Sequence, residues 1–147
     1  MKKVLVPVAD GTEELEAVAI IDCLRRAGAD LTIASVQNLQ ISTSRKVKIT
    51  ADCLIRDCKT ITYDLIALAG GMPGAEHLRD SKELAELLKK QKESGRLYAA
   101  ICASPVVVLE HHGLLANKKA TSYPAMADKL KNKVAIGQRV VVDGNCI

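Results

Sequence analysis

Two hydrophobic rhythms alternate along the chain. Lys3 to Val8 is a nearly continuous apolar run, as are Leu31 to Val36, Asp64 to Ala69 and Leu97 to Ile101. Runs this short and this unbroken read as strands buried on both faces. Between them the period lengthens to that of a helix. Thr12 to Ala27 reads as a helix stopped by Gly28. Ser81 to Glu93 reads as another, with Ser81 as its N-cap and Gly95 as its stop, and Ala103 to His112 as a third, with Pro105 in its first turn. Leu39 to Ile55 holds short β-like pieces around Ser42-Thr43-Ser44-Arg45. Near the end, Arg139 to Asp143 reads as a strand and Asp143-Gly144 as a hairpin-type turn.

Buried strands alternating with helices predict an α/β fold with a mostly parallel sheet and helices on both faces. In such folds ligands bind outside the carboxyl ends of the strands. Three loops follow predicted strands there: Ala9-Asp10-Gly11, Gly70-Gly71, and the turn at Cys102.

Composition narrows the function classes. A chain of 147 residues makes one domain with a real core. It has no tryptophan or phenylalanine and three tyrosines, so the aromatic platforms that stack nucleic acid or sugar are not expected. The net charge of +4 is mild. Its densest cluster, Lys89, Lys90 and Lys92, shares a helix with Glu83, Glu86 and Glu93 and reads as a solvated face. No stretch approaches the ~20 apolar residues of a membrane span. Lys2-Lys3-Val4 leads into an apolar run too short for a signal peptide. Five scattered cysteines, an odd number, favour reduced thiols in a cytosol-like compartment. The spacing of Cys53 and Cys58 does not match a zinc knuckle, and no metal site is expected.

Cys102 is the strongest candidate for chemistry. It sits where a strand gives way to a helix, between the small residues Ala100, Ala103 and Ser104. A thiol there faces the positive end of the helix dipole, which favours the thiolate. The alternative is a cysteine packed as a small hydrophobe. On the first helix, Ala17, Ile20, Cys23, Leu24 and Ala27 form one apolar face, with Asp22, Arg25 and Arg26 opposite. Glu16 falls on the edge of that apolar face, where a carboxyl can hold a proton, donate a hydrogen bond or act as acid and base. Glu13 and Glu14 read as complements to the helix dipole. Gly70-Gly71 either offers backbone N–H groups to an anion or makes an ordinary turn. His111 and His112 would lie about 14 Å from Cys102 along a helix, too far for a dyad; His77 could approach from another element. No G-x-G-x-x-G follows the first strand, so a dinucleotide site is not expected.

Three segments together resemble one family: Val8-Ala9-Asp10-Gly11-Thr12-Glu13-Glu14-Leu15-Glu16, Tyr63-Asp64-Leu65-Ile66-Ala67-Leu68-Ala69-Gly70-Gly71, and Ala99-Ala100-Ile101-Cys102-Ala103-Ser104-Pro105. They are similar to the ThiJ/PfpI superfamily, in the branch of the Parkinson-disease protein deglycase. Ile101 to Pro105 and Lys118-Lys119-Ala120-Thr121 look most like plant members. The resemblance implies a flavodoxin-like three-layer sandwich of the class I glutamine amidotransferase type, forming a homodimer and needing no cofactor. It implies Cys102 as nucleophile, Glu16 as its partner carboxyl, and the N–H groups of Gly71 and Ala103 as an oxyanion pocket, with Gly70 and Arg45 beside the substrate. Where many members carry a histidine this chain has Tyr123, a poor base near neutral pH, so proton transfer would fall on Glu16 and turnover would be slow. The protease-like branch places a histidine directly after the cysteine, where Ala103 stands.

The implied function is a glyoxalase or deglycase acting on glyoxal, methylglyoxal or early glycation adducts on proteins. The alternative is a redox-sensing chaperone whose Cys102 oxidises to sulfinate. Neither nucleic acid nor membrane is an expected partner. The expected location is cytoplasmic, with plastid and nucleus open. Residues 1–147 read as a single domain without the family's C-terminal strand and helices.

Overall fold

A computed structural model describes residues 1–147. Its main sheet has five strands in the order β5-β2-β1-β6-β7, all parallel: β1 Lys3–Val8, β2 Asp30–Ser35, β5 Cys53–Leu54, β6 Leu65–Leu68 and β7 Leu97–Ala100. A separate antiparallel hairpin pairs β3 (Gln40–Ser42) with β4 (Lys48–Thr50). Helix α1 (Glu14–Arg26) packs on one face, where Val4, Val6, Val8, Leu31, Ile33 and Ala67 meet Ile21. Helices α2 (Gly74–Asp80) and α3 (Lys82–Glu93) cover the other, burying Leu5, Ile66 and Leu68 against Leu78, Leu84 and Leu88. The two sets alternate along β1 with the strand period of two. Each large side chain so buried contributes roughly 1.5–3 kcal/mol. This is the expected flavodoxin-like α/β sandwich.

The topology places the site. From β1 the chain winds through α1 to β2 on one side, then crosses to β6 and β7 on the other. The switch point therefore lies between β1 and β6, and open α/β sheets form their crevice there. The loops after β1, β6 and β7 all leave that edge.

Several expectations need correction. Helix α1 starts at Glu14, not Thr12. Thr12 turns inward, and its Oγ1 accepts the Ala9 N–H at 2.9 Å, while Glu13 becomes the N-cap and its carboxylate accepts the Glu16 N–H at 2.8 Å. The segment after Cys102 is not a straight α-helix: Pro105–Glu110 is π-helical and breaks into turns by His111. Arg139 to Asp143 forms no strand. Val140 and Val142 are 67% and 66% exposed, with no neighbouring strand to pair with. The turn beyond it forms as expected, with reciprocal hydrogen bonds between Asp143 and Cys146. Ile147 then lies beside β7, exchanging backbone hydrogen bonds with Tyr98 and Ala100. Helix α2 went unpredicted because Gly70-Gly71-Met72-Pro73-Gly74 reads as loop, leaving only one helical spacing, Ala75 to Leu78.

Candidate active site

Cys102 adopts φ +61°, a left-handed conformation that a non-glycine residue rarely takes. The surrounding chain holds it there. On one side the Ile101 N–H donates to Leu68 O at 3.1 Å; on the other, the Tyr123 N–H donates to Cys102 O at 2.7 Å. The buried Ser104 hydroxyl donates to Ala69 O at 2.6 Å, tying the cysteine turn to the loop after β6. The result is a strained turn that lifts the Cys102 side chain clear of the sheet.

The glycine loop after β6 is fitted to that turn. A Cβ on Gly70 would stand 2.6 Å from Cys102 Cβ, 2.9 Å from Glu16 Oε2 and 3.0 Å from Ala103 N, so only glycine fits between them. The Gly70 N–H donates to Glu16 Oε2 at 2.6 Å, and Gly70 O accepts the Glu13 N–H at 2.9 Å. Gly71 has φ +91°, and a Cβ there would strike the Gly11–Glu13 backbone at 2.5 Å. The loops after β1, β6 and β7 thus converge, and Glu16 reaches them from the first turn of α1.

The electrostatics of Cys102 differ from the sequence expectation. Burial, followed by the adjoining Glu16 carboxylate, pushes the thiol above its ordinary range. The Gly71 and Ala103 N–H groups point at the sulfur and pull it down, but do not win. The expected thiolate-favouring dipole is weakened because no regular α-helix begins at the cysteine.

The other candidates scatter. Tyr123, 51% exposed, lines a groove of about 890 Å³ that contains Cys102 and runs along β7 between apolar residues such as Ile20, Leu24 and Ala99. Arg45 is exposed, forms no ion pair and does not line that groove; it is held through its backbone, whose N–H donates to Glu14 Oε1 at 2.9 Å. His77 lies on α2 and does not line the groove, and His112 Nε2 sits 2.8 Å from Arg79 O. Glu14 does more than face the helix dipole. Its carboxylate accepts from Ser44 Oγ at 2.7 Å as well as from the Arg45 amide. Against a desolvation cost, these bonds hold it below the usual carboxylate range. The sequence reads Glu14 only as a complement to the helix dipole and gives no signal of this clasp, made by a loop 30 residues away.

The profile of the DJ-1/PfpI family matches residues 2–147. The chain belongs to this family. DJ-1 homolog B of Arabidopsis thaliana is 53% identical over 146 residues, which is 99% of this chain and 33% of the Arabidopsis protein. The chain spans about a third of the length of that relative and of DJ-1 homolog A. Among solved structures, oxidised Toxoplasma gondii DJ-1 is 50% identical with a TM-score of 0.96, covering 99% of this chain and 80% of that one. A Caenorhabditis elegans relative named glutathione-independent glyoxalase DJR-1.2 is 33% identical over 144 residues, 98% of this chain and 73% of its own length. The DJ-1/PfpI chain described here therefore has relatives among DJ-1 proteins, one of them named a glyoxalase.

Proposed function

We propose that this DJ-1/PfpI domain converts small dicarbonyls such as glyoxal and methylglyoxal, or the early adducts they form on proteins, to hydroxy acids without a cofactor. The observation that carries the reading is Cys102, held at positive φ with its sulfur facing the Glu16 carboxyl and the Gly71 and Ala103 amides. The name of the Caenorhabditis elegans glyoxalase supports the same chemistry.

In this mechanism Glu16 takes the thiol proton as the Cys102 sulfur adds to the aldehyde carbon, giving a hemithioacetal. The two amides stabilise the oxyanion that develops. Glu16 gives that proton to the oxyanion and, as a carboxylate again, removes the proton from the carbon bearing sulfur and delivers it to the neighbouring carbon, while the hemithioacetal hydroxyl proton passes to the neighbouring oxygen. The product is a thioester of the hydroxy acid, which water hydrolyses to free Cys102. Tyr123 donates a hydrogen bond at the mouth of the site, and Gly70 contributes to binding; Arg45, off the groove, takes no part. The active protein is a homodimer. Lactate formation from methylglyoxal, compared among wild type, Cys102→Ser and Glu16→Gln, tests the scheme; equal rates in all three reject it.

A second reading is favoured by the oxidised form in which Toxoplasma gondii DJ-1 was solved. Here Cys102 is a peroxide sensor, oxidised to a sulfinate that Glu16 and the two amides hold, and the protein serves as a chaperone. Intact mass after mild peroxide would show two added oxygens at Cys102 before any other cysteine; uniform oxidation of all five counts against it.

A further inference from the structure

A pair of sulfurs lies at the opposite edge of the sheet from Cys102. Cys53 opens the two-residue edge strand β5, and Cys58 ends the 3-10 turn Ile55–Cys58 that follows. Their Sγ atoms are 3.6 Å apart. The segment is pinned on both sides. The Asp52 carboxylate accepts the Ile33 N–H at 2.8 Å, and the Asp57 carboxylate accepts the Leu54 N–H at 3.3 Å. Cys58 is fully buried, whereas Cys53 is partly open to solvent. Beside Cys58 lies the buried Tyr63 hydroxyl.

We propose that Cys53 and Cys58 form a dithiol–disulfide couple, independent of Cys102, whose co-reactant is a small soluble disulfide of the glutathione class. Closure brings the sulfurs from 3.6 Å to the disulfide bond length of about 2.05 Å, a distance that side-chain rotation covers when the backbone already places the pair together. The accessible Cys53 reacts first. Its thiol proton goes to water, and the thiolate attacks one sulfur of the small disulfide and expels the other half as a thiolate. Cys58 then loses its proton, attacks the Cys53 sulfur and displaces the second half. One small disulfide is reduced to two thiols while the protein dithiol is oxidised to one disulfide. Burial, then the neighbouring Cys58 and the Asp57 and Asp52 carboxylates, push Cys53 up to about 12. Arg25 offsets Asp52 and Arg56 offsets Asp57 only weakly, both pairs being exposed. The couple is consequently slow at neutral pH and responds to sustained oxidation.

The test treats the full chain with oxidised glutathione, blocks free thiols and maps the cysteines by peptide mass. Wild type and Cys102→Ala should both yield a peptide linked between Cys53 and Cys58, at a rate rising about tenfold per pH unit between roughly pH 7 and 9. Cys58→Ser should instead retain glutathione on Cys53, and Cys53→Ser should leave Cys58 unmodified. Because the chain has three tyrosines and no tryptophan, closure beside Tyr63 should also quench tyrosine fluorescence reversibly. That signal is lost in Tyr63→Phe, which keeps both thiols. The exposed Cys23 reports that the oxidant has acted. The proposal is overturned if Cys23 is modified while Cys53 and Cys58 stay free. It is equally overturned if wild type holds as much glutathione on Cys53 as Cys58→Ser does.

Discussion

Cys102 and the Cys53–Cys58 pair stand at opposite edges of one sheet, and burial does not tell them apart. Desolvation raises both Cys102 and Cys53, and in each case a neighbouring acidic group adds to the rise. The difference lies in the backbone. Cys102 has positive φ and two N–H groups turned toward its sulfur. Cys53 and Cys58 sit in ordinary conformations, with each other, the carbonyl oxygen of Leu54 and the Tyr63 hydroxyl near the sulfurs and no backbone N–H turned toward them. Donors aimed at a sulfur stabilise an anion developing on it or on a substrate atom beside it, and without them a thiol can exchange but has nothing to hold an oxyanion. On the two proposals made above, carbonyl chemistry belongs to one edge and thiol exchange to the other.

The largest effect that would break this contrast is at the nucleophile itself. Cys102→Ser should lower lactate formation from methylglyoxal by about 10³-fold or more, while Cys53→Ser leaves it near wild type. Glu16→Gln should cost ~10²–10⁴-fold, because the amide cannot carry the proton between carbons; a Glu16→Gln enzyme as active as wild type removes Glu16 from the chemistry. Gly70→Ala forces a methyl group between Cys102 and Glu16, so a fall of about 1–3 kcal/mol in urea stability should accompany loss of turnover.

Alkylation sharpens the same comparison. Iodoacetamide labelling of Cys102 should keep accelerating above the ordinary thiol range, because its thiol is raised. Glu16→Gln removes the carboxylate that opposes ionisation and should move that midpoint down. Cys53, raised to about 12, should label later than Cys102 at every pH tested and ignore the Glu16 change. An upward move for Cys102 would reverse the assigned role of the carboxylate. Ser104→Ala should have the smallest effect, about 1 kcal/mol of stability for the buried bond to Ala69 O, with a modest drop in turnover as the elbow loosens.

Much of the fold was written in local pattern. The four long apolar runs became β1, β2, β6 and β7 within a residue or so, because a strand buried on both faces needs an unbroken apolar run. Ser81 capped α3 as expected, its hydroxyl accepting the Leu84 N–H at 3.2 Å. Where the pattern misled, one cause was a missing nonlocal partner and the other a short-range turn. Arg139 to Asp143 has the composition of a strand but no neighbour to pair with, and Thr12 was drawn out of α1 by a bond to Ala9. In the candidate site, the position of Cys102 at a strand-to-helix turn and the inward lean of Glu16 could be read from spacing alone. The Glu14 clasp on Ser44 and Arg45, and the approach of two sulfurs at the β5 edge, could not.

By itself the sequence determined the strands β1, β2, β6 and β7, the helices α1 and α3 between them, and a small-residue turn that carries a cysteine, because these depend on neighbours a few positions apart. Tertiary structure alone decided that the sulfur meets a carboxyl from α1 and amides from two different loops, and that its thiol is raised rather than lowered. Desolvation and charge act through space, over distances that separation along a chain does not measure.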